Sequence, residues 1–141
     1  MKKTILALLI TLLGQFWTSS HLYAVTTKTV KAKENCNVAL RMNENRLNEH
    51  NDLLINALES RRFNPDMQSY GVYDVPADRE FVLEILLSSG GHYITASVKL
   101  MQKDLDGKYT EIKYKGDRNG ASETHALEAV FEEFPMCKKP L

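Results

Sequence analysis

The sequence predicts an α+β two-layer sandwich, an antiparallel meander sheet with two helices on one face, in the order β-α-β-β-β-α. Three observations lead there. Apolar and polar residues alternate through three successive segments between Phe81 and Tyr114. Apolar residues recur at helical spacing before Pro65 and again before Pro135, and proline cannot continue a helix. A further alternating run, Cys36, Val38, Leu40 and Met42, precedes the first helical segment.

That first run predicts a strand followed by a loop. The rival reading is one helix from Asn37 to Arg62, supported by Leu40, Leu47, Leu54 and Leu58. Four asparagines between positions 43 and 51 oppose it, because their side chains compete for backbone hydrogen bonds. The preferred reading starts the helix at Asp52 with Asn51 as its cap and ends it at Arg62, since Pro65 pushes Asn64 out of helical geometry. A connector rich in tyrosine and turn residues, MQSYGVYDVPAD, comes next.

In REFVLEILLSS, Phe81, Leu83 and Ile85 alternate against Glu80, Val82 and Glu84, a strand with one buried face. Pro76, the early acidic residues and Gly90-Gly91 leave a helix open there. HYITASVKLMQK turns Ile94, Ala96, Val98 and Leu100 inward, and KYTEIKYKG offers Ile112 and Tyr114. A two-residue turn would put opposed polarity on one face. A three-residue loop, Leu105-Asp106-Gly107 with Gly107 left-handed, pairs Leu100 with Ile112 and Val98 with Tyr114, so a bulged hairpin is predicted. GASETHALEAVFEEFP closes the pattern with a helix capped by Ser122.

Two lysines, Lys2 and Lys3, followed by a mainly apolar run from Ile5 to Leu13, too short to span a bilayer, read as an export signal. Residues 1–24 are the expected signal peptide, cut after Ala24 with Ser20 as the runner-up. Residues 25–35 are an expected flexible arm and 36–141 a single domain. An oxidising compartment, periplasmic or extracellular, makes the two cysteines, Cys36 and Cys137, a disulfide by default. No stable membrane insertion is expected after cleavage.

Basic and acidic residues number 18 each, which argues against nucleic acid as a partner. The lysines at 28, 31, 33, 138 and 139 read as solubilising tails. Asp104, Asp106 and Gly107 invite a calcium-loop reading, but Lys113 stands where that loop needs its bidentate glutamate. His50, His92 and His125 show no metal-ligand spacing and no nucleophile motif. No cofactor, metal or catalytic residue is therefore expected, and a hydrolase built on His92 or His125 is the disfavoured alternative. The sheet face turned away from the helices carries Tyr93, Lys99, Met101, Tyr109 and Lys113, the expected partner-binding residues.

The short strand, the helix ending in RRFNP, the strand meander with its Asp-Gly hairpin and the last helix HALEAVFEEF together resemble the N-terminal domain of TolB-like periplasmic proteins, over about residues 36–134. The lipoproteins LpoB and CsgG are similar to that domain in fold. The resemblance implies a domain that docks onto other envelope proteins without chemistry of its own. No propeller follows here, no lipidation cysteine is present, and no functional residue of those families maps onto this chain. A secreted inhibitor acting on a host or competitor enzyme is the alternative function.

Overall fold

The computed structural model describes residues 35–138. The expected signal peptide and all but the last residue of the expected arm lie outside them. Five strands and three helices follow one another as β1 (Asn37–Arg41), α1 (Glu44–Glu49), α2 (Asn51–Ser60), β2 (Asn64–Ser69), β3 (Phe81–Ser89), β4 (Ile94–Lys103), β5 (Tyr109–Gly120) and α3 (Glu123–Glu132). No helix among the described residues is long and apolar enough to cross a membrane. The α+β sandwich is as expected, but the expected order gains a helix, α1, and a strand, β2, and the sheet is not an antiparallel meander. The sheet is mixed, in the order β2-β1-β3-β4-β5, and β1 runs parallel to both of its neighbours.

The alternation read from the sequence builds the core. Val38, Leu40, Phe81, Leu83, Ile85, Ala96, Val98 and Leu100 all point to the helix side, where Leu47, Leu54, Leu58, Leu127 and Val130 meet them. Burying a side chain of this kind contributes about 1.5 to 3 kcal/mol, so the layer is held by many moderate terms. Phe134, just beyond α3, packs edge-on against Phe63 and Tyr114 at centroid distances of 5.6 and 5.2 Å.

The single long helix is absent, because Asn43 acts as an N-cap: its side chain accepts from the Asn45 amide, starting α1 eight residues before the expected start at Asp52. Asn51 is not a cap but the first residue of α2, with His50 between the two helices. At the other end of α2 the Phe63 amide bonds the Leu58 carbonyl at 3.0 Å and the Arg62 amide bonds that of Glu59 at 2.9 Å. This is a Schellman closure, and it places Arg62 at φ 65°, where glycine is the usual residue. Chain reversal is thus complete before Pro65. Asn64 and Pro65 then open β2, which the sequence reading assigned to a helix end and a connector. Proline is tolerated because β2 is an edge strand.

The β4–β5 hairpin has the expected loop: the Asp104 amide bonds the Lys108 carbonyl at 2.7 Å, and Gly107 sits at φ 79°. Its predicted register holds only at the tip, where Lys103 faces Tyr109. Two irregularities then shift β5, so that Met101 faces Ile112, Leu100 faces Tyr114 and Val98 faces Gly116. Tyr114 still reaches the core and donates to the Val130 carbonyl at 3.0 Å. Ile112 does not; it lies opposite Met101 and is exposed.

Cys36 and Cys137 form a disulfide, with Cα atoms 6.0 Å apart. The Cys137 amide also bonds the Arg61 carbonyl at 2.8 Å, and the Arg61 guanidinium bonds the Glu132 carbonyl at 2.7 Å. The C-terminal segment is therefore fastened to both the start of β1 and the end of α2.

Candidate functional site

The topology determines what lies on the side of the sheet away from the helices. Strands β2 and β3 flank β1 and run the same way, so the chain must travel back along the sheet between them. The helix side is already filled. Residues 70–80 make the return on the opposite face, where Tyr70 and Val75 pack with Tyr109 against Ala39, Val82 and Met101. Alanine at the middle of β1 leaves room for a strap of backbone to pass close over the sheet.

Polar contacts hold the strap down. Asp66 accepts from the Tyr70 hydroxyl and, at 2.6 Å, from Arg79 Nη2. Arg41 Nη2 donates to the Val72 carbonyl at 2.9 Å while its Nη1 pairs with Glu84 at 2.8 Å. The Tyr109 hydroxyl donates to the Arg79 carbonyl at 2.8 Å. Burial alone would push the Asp66 carboxyl up, but the hydrogen bonds from Tyr70 and Arg79 and the Arg79 charge outweigh it and hold it below the usual carboxylate range. The same hydrogen bond to Asp66 pushes the Tyr70 hydroxyl up, and burial does so for Tyr109.

This strap divides the five residues expected to bind a partner. Met101 faces the outer side but is only 5 % exposed, covered by the strap, so it offers no side chain to a partner. Tyr109 is half-buried beside it. Lys113 occupies the bulged stretch of β5 and lines a cleft with Phe63, Phe81 and Leu100, which are core residues of the helix side. Lys99 stays on the outer face, 3.8 Å from Glu84, and Tyr93 is exposed where β4 begins. The five do not form one patch.

Sequence reasoning missed the residues that do cluster. Between the strap and the hairpin tip lies a cleft of about 420 Å³, lined by Arg41, Val72, Tyr73, Val75, Gly107, Lys108 and Tyr109. Val72 is 65 % and Tyr73 96 % exposed, and Leu105 at the tip of the same hairpin is fully exposed. The signal for them was the apolar content of GVYDVP, which has no periodicity and so carries no direction. The hairpin is rigid enough to present its tip: Asp104 Oδ1 accepts from the amides of Asp106 and Lys108 at 2.9 and 2.8 Å, and its Oδ2 from the Thr110 hydroxyl at 2.7 Å. Those bonds, Thr110 first, lower the Asp104 carboxyl pKa. The carboxylate that the calcium-loop reading would offer to an ion is spent on closing the turn.

A second polar cluster joins α1 to α3. Glu49, His50 and Glu123 bring one ligand-type atom each to within 4.8 Å of one another. His50 Nε2 is 2.8 Å from Glu123 Oε2. Arg46 Nη1 lies 2.9 Å from Glu123 Oε1 and 3.0 Å from Glu49 Oε2, so a guanidinium already supplies the positive charge between the two carboxylates. The arrangement is an ion-pair network that docks the start of α3 on α1. His92 and His125 are both exposed and lie apart from this network. No family model and no curated protein matches this chain.

Proposed function

We propose that the chain is an exported binding domain of the bacterial envelope that acts through protein–protein contacts, without chemistry of its own. The observation that carries this reading is the pair of exposed apolar side chains Val72 and Tyr73 in the wall of a 420 Å³ cleft, whose other wall is Gly107 and Lys108 of the hairpin that carries the exposed Leu105 at its tip. Exposed apolar residues gathered on well-fastened backbone are what a partner surface requires, whereas scattered ones need no explanation. The disulfide fits folding in an oxidising compartment, as the charged and apolar N-terminus suggests. The resemblance to the N-terminal domain of TolB-like periplasmic proteins points to the same kind of work.

The test is photo-cross-linking in intact cells with a probe at position 108, beside the cleft. The parent chain is expected to capture one partner, and the Tyr73→Ser, Leu105→Ser variant to lose most of that adduct. Both side chains are exposed, so thermal stability should change little. Undiminished capture by the variant rejects this surface.

A further inference from the structure

A different cleft lies beside the disulfide on the opposite side of the sheet. Its volume is about 320 Å³, near the lower end for small-molecule sites. Phe63, Phe81 and Leu100 from the core and the Cys137 half of the disulfide line it, and Met136, half-exposed, forms an apolar lip. Among the described residues the charged ones in the lining are Lys113 and Lys138, and none is a carboxylate.

Polar side chains around the cleft are unevenly committed. The Gln102 side chain donates one amide N–H to Glu80 at 2.8 Å. Lys113 pairs with Glu111, an exposed contact of the kind worth about 0 to 1 kcal/mol, which a better-placed anion can replace. Lys138 makes no ion pair among the described residues. The apolar lip of Pro135 and Met136, above the edges of Phe63 and Phe81, favours an apolar body, and the two ammonium groups favour one negative charge at its end.

We propose that this cleft binds a small apolar monocarboxylate, an aliphatic or aromatic acid whose hydrocarbon part lies along Pro135 and Met136, over the edges of Phe63 and Phe81, and whose carboxylate meets Lys113 and Lys138. The volume admits a chain of about eight carbons and excludes a two-chain lipid. This site is independent of the partner surface on the outer face, and either assignment can fail without the other.

Octanoate is the probe, titrated into the full oxidised chain with amide chemical shifts as the readout, and octylammonium is the charge control. Octanoate should shift the amides of Leu100, Gln102, Met136 and Cys137 in a saturable way, and octylammonium should not. The Lys113→Glu, Lys138→Glu variant should weaken octanoate binding about tenfold or more, because two attractions become repulsions. A Lys99→Glu, Lys108→Glu variant, with the same change of net charge elsewhere, should bind like the parent. Absence of saturable shifts, equal binding of octylammonium, unchanged affinity in the first variant or equal loss in the second each overturns the proposal.

Discussion

Asp66 shows how much one side chain can decide here. It accepts from Tyr70 and Arg79 at once, and its side chain is 18 % exposed. Because its folded pKa is depressed below the ordinary value near 3.9, its contribution is complete above that pH and is lost as pH falls through the lower folded value. Replacing Asp66 by Asn keeps the shape and removes the charge, at a cost of about 1 to 2 kcal/mol at pH 7. Urea unfolding of parent and variant should show that difference in full at pH 7 and a shrinking one as pH falls below the ordinary carboxylate range. A constant difference across the range would mean that the carboxylate charge plays no part.

Among the elements, the strap changes the meaning of the sheet's outer face. Met101→Ala should lower stability by about 2 to 4 kcal/mol by urea unfolding, whereas a surface methionine would cost almost nothing. Most elements were legible in the sequence because their signals are local. The inward residues of β3 and β4, the Ser122 cap and the left-handed Gly107 each follow from spacing or turn chemistry within a few positions. What was not legible depends on distant partners. β2 contains Asn64, Pro65 and Asp66, poor strand formers, and exists because β1 offers it an edge. Met101 alternates as a solvent-facing residue does, and nothing near it in sequence announces that residues 70–75 will cover it. The same applies to the cleft that Val72 and Tyr73 share with Gly107 and Lys108, which forms only when the strap and the hairpin approach each other.

For the whole molecule, the disulfide spans 101 positions and closes almost all of the described chain into one ring. In the chain-entropy account a ring of that size is worth about 4 to 5 kcal/mol, a large share of the 5 to 15 typical of a domain. Cys36→Ser, Cys137→Ser should therefore lower the urea midpoint strongly while leaving far-ultraviolet dichroism intact in water, because the hydrogen bonds from the position-137 amide to the Arg61 carbonyl and from the Arg61 guanidinium to the Glu132 carbonyl also hold the C-terminal segment. Loss of the dichroic signal in water would show that the fold depends on the bond outright. The position of β1 between β2 and β3 has a bearing on biosynthesis. The earliest described strand pairs with residues 27 and 43 positions later, Val38 with Pro65 and with Phe81, while its flanking thiol waits for Cys137, 101 positions on. A chain emerging from its amino end would thus have both partners of β1 by about residue 84, yet carry a reduced Cys36 until Cys137 followed. Holdase chaperones and thiol oxidases would meet it in that interval.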